Sequence, residues 1–98
     1  MPSLEEWAED LGRKGFRGIV TEKIGNVGIV SGIRPDGRTF RGILTRDVKG
    51  GTVMKALQGA QSAEVIILLV PFGKAKEAAQ LARLSGDCGK VHIEEFMG

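Results

Sequence analysis

Ninety-eight residues, 42% hydrophobic and 27% charged, make one folded domain, which argues against intrinsic disorder and leaves no length for a separate cofactor domain. The longest apolar run, Val65 to Val70, is far short of the ~20 residues of a membrane span, the acids at 5, 6, 9 and 10 argue against a leader peptide, and a lone cysteine, Cys88, excludes a disulfide framework; a soluble cytoplasmic protein without a membrane partner is expected. The net charge of +2 hides a segregation, −4 over residues 1–12, +7 over 13–55 and −1 over 56–98, and a basic stretch of that kind attracts phosphate backbones.

Ser3-Leu4-Glu5-Glu6 has the form of a capping box, and Leu4, Trp7, Ala8 and Leu11 follow at the spacing of one helical stripe. Gly12 and Gly15 suit the end of that helix. From Phe16 the chain turns to β-branched residues and glycines, which predicts strands over 16–24, 26–34 and 38–49. The last two form a hairpin about Pro35-Asp36-Gly37-Arg38. Alternation gives that hairpin a buried face, with Val27, Ile29 and Ile33 on one strand and Phe40, Leu44 and Val48 on the other, and an opposite polar face. Gly50-Gly51-Thr52 ends the third strand, and Val53, Ala56, Leu57 and Ala60 suit a short helix. Residues 65–70 are apolar on both faces, as in a central strand with a parallel neighbour. Residues 74–84 are strong helix formers closed by Gly86, and Val91 to Phe96 read as a final strand. The order αβββαβαβ predicts a single α/β (α+β) domain over residues 1–98, a mixed central sheet flanked by helices.

If Asp36-Gly37 is a two-residue loop, Pro35 faces Arg38, Asp47 faces Asn26 and Thr45 faces Gly28, with facing side chains ~5 Å apart. Lys49 falls on the same face as Asp47, two residues on. Asn26, Asp47 and Lys49 then converge at the open end of the hairpin, and Gly28 and Gly32 leave room there for a bulky ligand.

Asp47-Val48-Lys49, the leading helix that ends in Lys-Gly-Phe, the Arg-Pro-Asp-Gly-Arg hairpin, Gln58 or Gln61 on the next helix and the apolar strand ending in Val-Pro together resemble the PD-(D/E)XK, restriction-endonuclease-like, nuclease superfamily over nearly the whole chain. The resemblance implies a restriction-endonuclease-like fold in which two acids hold Mg²⁺, the metal polarises the scissile phosphate and the lysine positions water or stabilises charge. Mapped onto this chain, Asp47 is the second acid, catalytic and metal-binding, and Lys49 is the catalytic lysine. Asn26 stands where the family carries its first acid. Glu22, or Glu5, Glu6 or Glu9 of the first helix, are substitutes, whereas Asp36 belongs to the hairpin turn.

Arg34, Arg38, Arg41, Arg46 and Lys55 would hold the backbone of a nucleic acid, DNA in the first instance, and so short a chain favours a homodimer. His92 reads as a surface residue without a second ligand at metal spacing, and Cys88 has no base beside it. The phenylalanines are too scattered along the chain for a stacking platform and tyrosine is absent, which argues against a single-strand stacking module, and the glycines match neither a P-loop nor a dinucleotide fingerprint. The expected function is action on nucleic acid, with Mg²⁺-dependent phosphodiester hydrolysis if the acids assemble. The alternative is a catalytically inactive nucleic-acid-binding or homo-oligomeric interaction module.

Overall fold

The computed structural model describes residues 3–49, 51–86 and 89–97. The elements follow the order expected: α1 (Leu4–Arg13), β1 (Arg17–Ile24), β2 (Val27–Ile33), β3 (Thr39–Leu44), α2 (Gly51–Gly59), β4 (Val65–Pro71), α3 (Ala75–Leu84) and β5 (Val91–Phe96). α1 starts as its capping box dictates, with the Glu6 amide donating to Ser3 Oγ at 3.0 Å.

One five-stranded sheet runs in chain order, β1-β2-β3-β4-β5. β1, β2 and β3 are antiparallel, and β4 and β5 add in parallel to β3. Gly25-Asn26 closes the first hairpin as a two-residue loop, because Ile24 pairs with Val27 and Gly25 takes φ +61, the first central position of a type II′ turn. Near its start β1 carries a bulge between Arg17 and Val20, with Gly18 at φ +60.

The second hairpin corrects the expected register. Its loop has three residues, Pro35-Asp36-Gly37, and Arg34 and Arg38 close it, with the Arg34 amide donating to the Arg38 carbonyl at 2.8 Å. Pro35 presets the turn and joins Asp36 and Gly37 in the loop, which is thereby one residue longer than Asp-Gly alone, and Gly37 takes the left-handed position at φ +89. Gly28 therefore pairs with Leu44 rather than Thr45. Asp36 is the turn residue expected of it, its Oδ1 accepting from the Arg38 amide at 3.1 Å.

The expectation of one buried and one polar hairpin face is also corrected, because helices cover the sheet on both sides. On one side Leu4, Trp7 and Leu11 of α1 pack on Val30, Phe40, Leu44, Val65, Leu69 and Phe96. On the other, Val53, Ala56 and Leu57 of α2 and Ala78 of α3 pack on Val27, Ile29, Ile43, Ile66, Leu68 and Val70. Each of the valine, leucine, isoleucine and phenylalanine side chains taken out of water contributes about 1.5–3 kcal/mol. The glycines of the hairpin are where α1 sits down: a Cβ at Gly28 would meet Leu4 at 3.1 Å, and one at Gly42 would overlap the Trp7 ring. The room foreseen over Gly28 is filled by the protein's own helix.

None of the helices among the described residues is long and apolar enough to cross a membrane. Outside the core, α1 carries an ion pair between Lys14 Nζ and Asp10 Oδ2 at 2.9 Å. The Lys14 hydrogen bond holds the Asp10 carboxyl below its ordinary 3.8, and Asp10 holds Lys14 above its ordinary 10.5. The depressed acid contributes stability above its unfolded pKa, lost as pH falls through its folded value. The raised lysine contributes below its unfolded pKa, lost as pH rises through its folded value. Both groups face solvent, so the contribution is small. Lys14→Met is expected to return Asp10 toward its ordinary value in a carboxyl-carbon NMR titration, with almost no change in melting temperature.

Candidate nucleic-acid interface

β3 ends five residues earlier than the sequence pattern suggests, and the cause is local. The Thr45 amide still donates to the Leu69 carbonyl at 3.1 Å, but the buried Thr45 hydroxyl then captures the chain. Its Oγ1 donates to the Asp47 carbonyl at 3.0 Å and accepts from the Asp47 amide at 3.2 Å. Asp47 Oδ1 in turn accepts from the Lys49 amide at 3.0 Å, an Asx-turn. The turn swings Val48 into the core beneath α2, on the opposite side of the sheet from Phe40 and Leu44, with which alternation had grouped it. Asp47 and Lys49 are thus exposed residues of a turn and not neighbours on one strand face. The expected convergence of Asn26, Asp47 and Lys49 by strand register does not occur.

What the open end of the hairpin does build is a cleft of about 390 Å³. Ser3, Leu4 and Glu5 from the start of α1 form one wall; Lys23, Gly25 and Asn26 from the first hairpin form another; Leu44, Thr45 and Arg46 form the third. Asn26 is where the sequence placed it, at the site, while Asp47 and Lys49 lie outside the lining. Lys23 and Arg46 are exposed, and among the described residues neither is held in an ion pair. Two free cations therefore face one opening, with an amide between them and a single acid, Glu5, across it. The three helices of the described residues begin at this end: α1 in the wall of the cleft, α2 after the carboxyl end of β3 and α3 after that of β4. Their positive dipole ends add to the field of the two cations.

The other predicted phosphate contacts are dispersed. Arg34 and Arg38 sit at the far tip of the β2–β3 hairpin, where Asp36 pairs with them at 3.0 and 4.0 Å. That tip is roughly 20 Å from Arg46 at the usual strand rise. Arg41 lies mid-strand and donates to the Gly59 carbonyl at 3.4 Å, and Lys55 is exposed on α2. Of the five, Arg46 alone lines the cleft. Lys23 was missed by the sequence reading; the signal for it is its place two residues before the Gly25-Asn26 turn.

A Mg²⁺ ion demands several oxygen donors in a tight octahedron. Among the described residues no three of His, Cys, Asp and Glu gather as a metal-holding group, and one Asp47 oxygen is committed to the turn. The donor set that the resemblance implies is not assembled by these residues. His92 is exposed on β5, as expected. Cys88 and Gly50 lie outside the described residues. Compared with known proteins, the chain matches no family model, no curated protein and no solved structure.

Proposed function

We propose that the protein binds nucleic acid, DNA in the first instance, through the cleft end of its sheet, as a non-cleaving domain of restriction-endonuclease-like architecture in the cytoplasm. The observation that carries the reading is the pair of unpartnered cations, Lys23 and Arg46, flanking one cleft at the end where every helix begins. Phosphate oxygens are the ligands that such a set takes: two cations supply charge, the Asn26 amide donates a hydrogen bond and the helix starts favour the anion. The element order, with α1 on one face of the sheet, α2 on the other and β4 parallel to β3, supports the architectural part. A homodimer would present two such clefts to the two strands of a duplex.

Fluorescence anisotropy with a labelled duplex across a salt series tests this. Each phosphate-bound cation contributes about 0.9 to the slope of log affinity against log salt, so Lys23→Gln with Arg46→Gln is expected to flatten it by close to ~2. Arg34→Gln with Arg38→Gln is expected to leave the slope nearly unchanged, since that tip lies at the opposite end of the hairpin from the cleft and Asp36 offsets part of its charge. An unaltered slope in the first pair defeats the assignment of the cleft. Cleavage of the duplex with Mg²⁺ or Mn²⁺ that disappears in Asp47→Ala defeats the non-cleaving reading.

A further inference from the structure

We propose that β5 is a dimer interface: it pairs edge to edge with β5 of a second copy, antiparallel about a two-fold axis at Ile93, so that two five-stranded sheets become one of ten strands. This contact completes the homodimer of the nucleic-acid reading and does not depend on the cleft binding anything.

The two edges of the sheet are unlike. β1 is blunted by its bulge and by Gly18 at φ +60. β5 runs six residues, Val91–Phe96, in unbroken register with β4, and none of them is glycine, proline, lysine or arginine. Its backbone is open at alternate residues. The Lys90 carbonyl accepts from the Ile66 amide at 3.2 Å and the Phe96 carbonyl from the Phe72 amide at 2.9 Å. The even-numbered residues therefore turn their polar groups to β4, and the odd-numbered ones turn theirs outward. Among the described residues the Ile93 and Glu95 amides have no acceptor.

A ladder on this edge sets outward residue against outward residue, and the side chains choose among the registers that remain. With Ile93 opposite Ile93 of the second copy, Val91 meets Glu95 and His92 meets Glu94, each pair twice by symmetry. His92 and Glu94 both line the groove of about 450 Å³ that α1 leaves open over β4 and β5, so they share one face. Among the described residues neither is held in a hydrogen bond or ion pair. Lys14, the cation that Glu94 acts on, is held by Asp10 at 2.9 Å. Facing residues between the hydrogen-bonded pairs of such a ladder have Cα atoms about 4.5 Å apart, and an imidazole N–H there donates to the opposite carboxylate. The Glu95 carboxylate, opposite Val91, is already engaged by the Gly73 amide at 2.8 Å.

The neighbouring registers are worse. Sliding toward the carboxyl end of β5 sets Glu94 against Glu94 of the second copy, and like charges directly opposite are destabilising. Sliding the other way sets His92 against His92 and pairs only residues 91–93 of the strands. The edge thus carries its own complement, the condition for a closed two-fold interface and not for an open chain of copies. The axis passes through the sheet, which leaves both α1 helices on one side of it.

Light scattering of the full chain over a concentration series, without oligonucleotide, reads the dimer. His92→Glu gathers four carboxylates about the axis and is expected to weaken it roughly 10- to 100-fold. His92→Glu with Glu94→Lys restores opposite charges in reversed order and is expected to recover most of the affinity. Glu22→Lys, on the other edge of the sheet, is expected to be silent. These positions are exposed, and unchanged melting curves confirm that the variants fold. In the wild type, exchange of the Ile93 and Glu95 amides is expected to slow as concentration rises. A wild-type chain that stays monomeric at millimolar concentration, or Ile93 and Glu95 exchange that ignores concentration, overturns the interface. So does a His92→Glu dimer as tight as the wild type, a double variant as weak as His92→Glu, or an equal loss in Glu22→Lys. In each of those cases the salt slope of Lys23→Gln with Arg46→Gln still stands for the cleft.

Discussion

Trp7→Ala is expected to cost about 3–5 kcal/mol, from a total that for a domain of this size is about 5–15 kcal/mol. The ring is the main filler between α1 and the sheet. It packs edge-on against Phe40, and it occupies the volume over Gly42 where any other residue of β3 would carry a side chain. Removing it leaves a cavity that a backbone glycine cannot fill. Urea unfolding followed by far-ultraviolet circular dichroism reads the loss without relying on the deleted indole. A loss under ~1 kcal/mol would mean that α1 contributes little to the fold.

Leu57→Ala on the opposite face is expected to cost about 2–5 kcal/mol. Leu57 of α2 has no exposed surface and belongs to the core cluster that holds Ile43, Ile66 and Leu68 of the sheet. The sheet separates the two sites, which share no packing neighbours, so the two losses should add to within about 0.5 kcal/mol. The double variant is then expected to be unfolded or nearly so at 25 °C. A double variant no weaker than Trp7→Ala alone would show that one layer carries the structure.

The element order was legible because local signals agreed with one another. The capping box at Ser3, the stripe of Leu4, Trp7 and Leu11, the two-sided apolar run at 65–70 and the strong helix formers of 74–84 each determine a segment without help from distant residues. What failed depended on one residue more or less. Asp-Gly signals a tight loop, but Pro35 entered the loop as a third member, which displaced every facing pair of the β2–β3 hairpin by one. The end of β3 was misplaced because alternation continues through Val48, whereas the Thr45 hydroxyl ends the strand by binding the Asp47 backbone. That interaction leaves no periodic trace. Glycines 28 and 32 read as gaps in the sequence and are filled in the fold, Gly28 by Leu4 of a helix more than twenty residues earlier and Gly32 by the Arg17 carbonyl and Ile19 of β1. At the site, Asn26 and Arg46 were foreseen and Lys23 was not.

The bulge at Gly18 has a consequence for how the protein keeps company with other copies of itself. β1 is one of the two edge strands of the sheet, and an open border of amides and carbonyls invites recruitment of further strands into a growing fibril. A left-handed glycine there breaks the repeat and increases the local twist, while the exposed Arg17, Glu22 and Lys23 set charged side chains along the same border. Unlimited edge-to-edge polymerisation is thereby disfavoured, although Val20 and Ile24 stand uncovered on that strand.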